Sequence, residues 1–339
     1  MKSLGTVIAF VQPMLDEEYE CLPRDRTRRP GGTLGEYRLD RVLARGGMGT
    51  VYEAHHLRLG SRVALKVPLD GDDEQPSSFE SFRSEARFLG QVDHPNVVRM
   101  LDLDEDEQGP FLVLEYLDGE TAADRLKRTG PLALGEAMRV ICAVAAALEQ
   151  VHARGIVHGD LKPANVFLVR TRREEDDVKL LDFGASVDVA CSVDGDQAPP
   201  SYGGTRSYMA PEQLLGSAEL DHRADQFSLA AMTYELLTGQ KAFREGARPP
   251  STALAGGPLS PVSKAVPEAP AMLDVVLARA ASFRAVDRYP DIATFAAALR
   301  DALDEDLVGP SSDAPASIVR ARALPGYATG TATDRSLCA

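Results

Sequence analysis

Between His158 and Asn165 the sequence places a carboxylate, an ammonium and an amide close together: Asp160, Lys162 and Asn165 in His158–Gly159–Asp160–Leu161–Lys162–Pro163–Ala164–Asn165. Apolar Gly155–Ile156–Val157 precedes this stretch and Val166–Phe167–Leu168 follows it. A short polar loop between two extended segments can aim all three side chains at one point; the alternative, taken from these residues alone, is an ordinary surface turn. Seventeen residues after Asn165 stands Asp182, in Leu180–Leu181–Asp182–Phe183–Gly184, which reads as a buried strand ending in an acid and a glycine. A second lysine, Lys66, closes the apolar run Val63–Ala64–Leu65. It either faces water at a sheet edge or has a partner, because an unpaired buried ammonium is costly. Further upstream, Leu43–Ala44–Arg45–Gly46–Gly47–Met48–Gly49–Thr50–Val51–Tyr52 lies between two strand candidates. Glycines let such a turn approach a polyphosphate and offer it backbone N–H groups, although a glycine-rich turn can be no more than a turn. Downstream comes Met209–Ala210–Pro211–Glu212.

The elements that would position these groups are legible as changes of period. Residues 1–36 mix charge, Pro and Gly and read as a leader or linker. From Tyr37 short alternating runs predict strands at Tyr37–Leu39, Val51–Ala54, Val63–Val67, Val97–Leu101 and Phe111–Leu114, with one helix over Ser81–Val92. After Asp118–Gly119 the period turns helical. Gly135 to Ala153 carries Met138, Ile141, Val144, Ala145, Leu148 and Val151 at spacings of three and four, and Ser228–Thr238, Pro270–Ala281 and Asp291–Leu303 read similarly. The break near 117 therefore separates a β-rich lobe from an α-rich one. Residues 307–339, rich in Pro, Gly, Ala, Ser and Thr, read as a flexible tail.

Composition narrows the function. The 339-residue chain carries a net charge of −14, which argues against a nucleic-acid binder or a peripheral membrane protein, both of which need a basic footprint. Its four cysteines, Cys21, Cys142, Cys191 and Cys338, have no paired spacing, as expected in a reducing compartment. No apolar run approaches the ~20 residues of a membrane span, and acidic Asp16–Glu17–Glu18 follows the short apolar stretch Gly5–Val11, which does not suit a signal peptide. The expected location is cytoplasmic.

Taken in order, the motifs resemble those of the eukaryotic-like serine/threonine protein kinases of bacteria. The resemblance runs from about residue 37 to 306 and includes Gly46–Gly47–Met48–Gly49, His94–Pro95–Asn96, Gly204–Thr205 through Glu212, and Tyr234–Glu235–Leu236–Leu237–Thr238–Gly239. It implies an α+β, two-lobed fold, with a small β-rich N-lobe over 37–116 and a larger α-helical C-lobe over 117–306. It also implies ATP and Mg²⁺, and protein substrates that present Ser or Thr hydroxyls. By this comparison Asp160 accepts the substrate hydroxyl proton, Lys162 neutralises the moving phosphoryl group, and Asn165 and Asp182 bind the metal. Lys66 holds the nucleotide phosphates and Glu85 orients it, with Glu80 as the nearest competitor. Thr205 contacts the catalytic Asp and Lys. Leu43, Gly46, Gly47, Gly49, Val51, Ala64, Lys66, Phe167 and the backbone at Glu115 and Leu117 form the nucleotide site, with Leu114 at its back. Taken singly, each apolar member could be plain core packing. The same resemblance pairs Glu212 with Arg288 and has Asp225 anchor the catalytic loop. The charged stretch Thr171–Asp177 is expected to be a solvated turn.

Two positions depart from the family pattern. Ala44 stands where the first glycine of the phosphate loop is usual. Gly159 stands where many of these kinases carry an arginine that binds a phosphorylated residue, and glycine cannot form that pair. The expectation is an enzyme that does not need activation-segment phosphorylation routed through that arginine. Two rival readings remain, although small-molecule kinases generally lack Asp182–Phe183–Gly184 in this form and the Pro211–Glu212 segment. One is a pseudokinase that signals by conformation. The other is a small-molecule phosphotransferase of the aminoglycoside type, whose catalytic loop also opens His–Gly–Asp.

Overall fold

The computed structural model describes residues 29–46, 49–68, 77–107, 109–171, 175–183, 186–188, 206–216, 220–243 and 259–304. Its first lobe is a six-stranded antiparallel sheet. The strands are β1 (Thr33–Leu34), β2 (Tyr37–Gly46), β3 (Gly49–His56), β4 (Arg62–Val67), β5 (Met100–Asp106) and β6 (Gly109–Glu115), in the order β1-β2-β3-β4-β6-β5. Side chains alternate across a strand, so each face is built from every second residue. Leu65, Val67, Phe111 and Val113 pack with Leu34, Tyr37, Leu39 and Tyr52 on one face. Ala64, Leu112 and Leu114 occupy the other, where Phe82, Ala86 and Leu89 of helix α1 (Ser77–Gln91) join the same core. Lys66 shares the Ala64 face, and that is what turns it toward α1.

The strand expected over Val97–Leu101 begins only at Met100. Val97 and Val98 are instead drawn to the second lobe: Val97 bridges Leu180, and the Val98 N–H donates to the Leu180 carbonyl at 3.0 Å.

The second lobe starts with β7 (Gly119–Thr121), then α2 (Ala122–Thr129) and the long α3 (Leu134–His152). Strands β8 (Ile156–Val157), β9 (Val166–Val169), β10 (Asp177–Leu180) and β11 (Val187–Asp188) form two small sheets, ordered β10-β9-β7 and β11-β8. Among the described residues the α-helices α4 (Pro211–Leu214), α5 (Arg223–Thr238), α6 (Ala271–Ala280) and α7 (Ile292–Asp304) follow. The apolar stripe of α3 is buried as its period predicts, from Met138 to Val151. Helix α5 starts five residues before its predicted Ser228, and every residue from Ala224 to Leu237 except Glu235 is buried. A helix buried all round has no polar face to mark its start.

Candidate active site

Alternation on β4 and helical spacing on α1 bring a charged trio together. Lys66 Nζ donates to Glu85 Oε2 at 2.5 Å and to Asp182 Oδ1 at 3.0 Å. The Lys66 and Glu85 side chains are only 8% and 2% exposed, whereas Asp182 is 31% exposed. Burial works against the ammonium, but Glu85 and then Asp182 outweigh it, so Lys66 is held firmly protonated. Burial pushes the Glu85 carboxyl up, with Lys66 opposing, and Phe183 donates a backbone hydrogen bond to it. Glu85 is thus the partner of Lys66; the side chain of Glu80 lies outside the described residues.

Asp182 ends the strand side of this trio in a left-handed conformation, φ 59°, a region costly for a side chain with a Cβ. Its neighbours hold it there. Phe183 is buried with its ring 4.9 Å from that of His158, and His158 Nε2 donates to the Leu181 carbonyl at 3.1 Å.

His158 also opens the catalytic loop, which lies between β8 and β9 as predicted. Within it Lys162 Nζ donates to Asp160 Oδ2 at 2.5 Å. Asn165 Nδ2 donates to the Asp160 carbonyl at 2.8 Å and to Oδ2 at 3.3 Å. The amide nitrogen is thereby committed to Asp160, which leaves the Asn165 oxygen as the atom suited to a hard cation. Asp225 of α5 holds the loop from below. Its Oδ1 accepts from the Gly159 N–H at 2.9 Å, and its Oδ2 accepts from the His158 N–H and from His152 Nε2, each at 2.8 Å. Burial alone would raise this carboxyl, but the His152 bond and charge, together with the Gly159 N–H, hold it below the usual carboxylate range. Ser186 donates to the His158 carbonyl, and β11 pairs with β8, so the chain after Asp182 is fastened to the same loop.

Val51, Ala64, Leu114 and Leu117 belong to or pack against the apolar cluster that runs from the six-stranded sheet into the helices of the second lobe. Phe167 pairs across to Thr121 and lies against Gly119. The Glu115 N–H donates to the Arg99 carbonyl, so a backbone contact from Glu115 to a purine falls to its carbonyl. Gly46 pairs with Gly49 at the turn end of β2 and β3, and Leu43 stands on β2 with 37% of its surface exposed. Gly47 and Thr205 lie outside the described residues.

The described part of the charged stretch Thr171–Asp177, namely Thr171 and residues 175–177, is not simply solvated. Asp176 accepts from Arg125 Nη2 at 2.6 Å, and Arg125 also reaches Glu120 and Glu136, tying β7, α2 and the start of α3 to this hairpin. Glu175 faces Arg139 at 3.4 Å. Arg288 makes a two-pronged bridge to Glu212, at 2.6 and 2.8 Å. Sequence reasoning missed Lys179, which joins Glu115 Oε1 (2.6 Å) to the Val97 carbonyl, as well as His152, the partner of Asp225, and Gln213, described below.

The protein kinase domain family matches residues 37–256, and the chain belongs to that family. It is 40% identical over 291 residues to the serine/threonine-protein kinase Pkn1 of Myxococcus xanthus, covering 84% of this chain and 41% of that one. It is 35% identical over 311 residues to the serine/threonine-protein kinase PknH of Mycobacterium bovis, covering 90% of this chain and 50% of the relative. The chain thus spans about half the length, or less, of these relatives. The crystal structure of the Mycobacterium tuberculosis PknI kinase domain superposes with a TM-score of 0.63 at 28% identity, over 81% of this chain and all of that one. The fold is the two-lobed protein kinase fold.

Proposed function

We propose that this chain is a serine/threonine protein kinase that transfers the γ-phosphoryl group of ATP to Ser or Thr hydroxyls of protein substrates. The observation that carries this reading is the pairing of Lys66 with both Glu85 and Asp182, beside a loop in which Asp160, Lys162 and Asn165 touch one another. In such a site positioning and electrostatics supply most of the rate. The substrate hydroxyl oxygen forms a bond to the γ-phosphorus as the bond to the β–γ bridging oxygen breaks. Asp160 orients that hydroxyl and takes its proton, Lys162 offsets charge on the transferred group, and Lys66 holds the α- and β-phosphates. Val51, Ala64, Leu114 and Phe167 line the purine, with backbone at Glu115 and Leu117 at its edge and Leu43, Gly46, Gly47 and Gly49 over the phosphates. Thr205 belongs to the same machinery.

Mg²⁺ is the metal that fits. Among the described residues no cluster of three or more His, Cys, Asp or Glu side chains could hold a metal by itself. Magnesium commonly binds through one or two protein oxygens together with substrate phosphates, and Asp182 with Asn165 offers that set. Bound there, Mg²⁺ would neutralise the phosphate oxygens and fix their orientation.

The kinase domain is proposed to extend over about 37–306, since Leu273, Leu277, Phe295 and Leu299 of α6 and α7 share the core of α3 and α5. No helix among the described residues is long and apolar enough to cross a membrane. A cytoplasmic location and partners that are proteins, not nucleic acids, complete the reading, supported by the net charge of −14.

The test is incubation with Mg²⁺ and γ-labelled ATP, alone and with a generic basic protein, beside Asp160→Asn and Asp182→Asn. Label on serine or threonine that disappears in both variants is the expected result. Nucleotide binding without label transfer would sink the kinase reading, and an ATP-consumption screen with added metabolites would then look for a small-molecule acceptor.

A further inference from the structure

Gly159 sits in the catalytic loop with φ +76°, in the left-handed region that glycine enters without strain. It is buried, and its backbone groups have separate partners: the N–H donates to Asp225, and the carbonyl accepts from Gln213 Nε2 at 2.8 Å. Gln213 comes from α4, more than fifty residues along the chain, and is 3% exposed. Its Oε1 accepts the Ala210 N–H at 2.9 Å, so both ends of one buried carboxamide are used. One end holds the catalytic loop, and the other holds the segment that closes at Ala210–Pro211–Glu212.

The Gly159 carbonyl belongs to the same rigid peptide unit as the N–H of Asp160. Turning that unit about the Gly159 Cα–C bond moves the Asp160 side chain, and glycine has no Cβ to restrict the turn. Asp225 fixes only the unit before it. The Asp160 N–H has a longer contact, 3.3 Å to His158 Nδ1. The Gln213 donor is therefore the short polar contact on the unit that carries Asp160.

We propose that Gln213 is a positioning residue for Asp160: its carboxamide sets the Gly159–Asp160 peptide plane and registers it against the chain around Ala210. The link is uncharged and needs no phosphate, and it acts at the position where an arginine–phosphate pair has no side chain to use. This inference rests on the kinase reading for its consequence in catalysis, but the link can be measured without it.

Gln213→Glu separates the two ends. A carboxylate still accepts the Ala210 N–H but cannot donate to the Gly159 carbonyl; once protonated, it can donate again. Burial beside a carbonyl raises that carboxyl's pKa. The activity of Gln213→Glu relative to wild type is expected to fall by about tenfold or more at about pH 8–9 and to recover toward about pH 6, with KM for ATP within about threefold. A ratio that stays flat and near one across that range overturns the proposal, leaving Gln213 a cap for α4 and nothing more. Gln213→Leu, which loses both ends, is expected to lower kcat by about tenfold or more. Hydrogen–deuterium exchange over residues 156–162 needs no turnover. Faster exchange in folded Gln213→Glu at high pH than in wild type supports the link, and identical exchange removes it. An inactive wild type that shows the exchange difference would refute the kinase reading alone.

Discussion

Asp225→Asn keeps the shape of the side chain and removes one acceptor, so its cost follows from the contacts of the two oxygens. Oδ1 takes one backbone N–H, from Gly159, and Oδ2 takes the His158 N–H and His152 Nε2. Asparagine has one oxygen and one NH₂. Placed where Oδ2 was, its oxygen serves His158 and His152 while the NH₂ meets the Gly159 N–H, donor against donor. That leaves a buried donor unsatisfied, at about 1–3 kcal/mol, and the surviving bonds lose their charge assistance, at about 1 kcal/mol more. The opposite placement strands two donors and costs more. A total of about 2–4 kcal/mol corresponds to a fall in Tm of roughly 5–15 °C for a domain of this size. With the loop free to shift at Gly159, kcat should fall by about tenfold or more, while nucleotide affinity, which rests on Lys66, stays within about threefold. The Asp225 carboxyl is held below its ordinary pKa in the folded protein. Its contribution is therefore complete above the unfolded value of about 4 and is lost as pH falls toward the folded one, so the Tm gap between wild type and variant narrows in acid. Melting curves across pH, with kcat at neutral pH, make the measurement. A variant that melts within about 1 °C of wild type at neutral pH and keeps its kcat would refute the anchoring argument.

Gly119→Ala would put a Cβ 1.9 Å from the Leu168 carbonyl oxygen and 3.0 Å from Phe167 Cε1. β7 must part from β9 and move Phe167, so a stability loss of about 1–3 kcal/mol with weaker nucleotide binding is expected by melting and calorimetry. Gly159→Ala forces a side chain into the left-handed region and should cost about 1–2 kcal/mol in denaturant titration, even before any effect on activity. Arg128, and then Arg125, hold the Glu120 carboxyl down at about 2, from an ordinary 4.5. Its stabilising contribution is present above about 4.5 and lost between there and about 2, so acid melting curves of wild type and Glu120→Gln should differ at neutral pH and converge as pH falls through that window.

Much of this protein can be read from local sequence. Polar residues bunched between apolar runs marked Asp160, Lys162 and Asn165, a lone acid closing an apolar strand marked Asp182, and alternation along Val63–Val67 turned Lys66 toward one face of its sheet. The three-and-four spacing of α3 named the residues that it buries. Each is a short-range pattern, set by the repeat of a strand or helix against a single apolar face. Other features needed the tertiary structure. Val97 and Val98 look like strand residues, yet they bond to Leu180 because the second lobe comes close enough to offer its carbonyl. The start of α5 at Arg223 could not show, because neighbours cover the helix on every side and leave no polar stripe. Asp176, in a run of charges that suggests a solvated turn, is taken up by Arg125, which stands 51 residues earlier in the chain. Gln213 is polar, three residues past Ala210, and by spacing no more than half of a helix cap. Its second partner, the Gly159 carbonyl, lies 54 residues away. A hydrogen bond is specified by where its two ends meet in space, and over such separations the fold alone decides that.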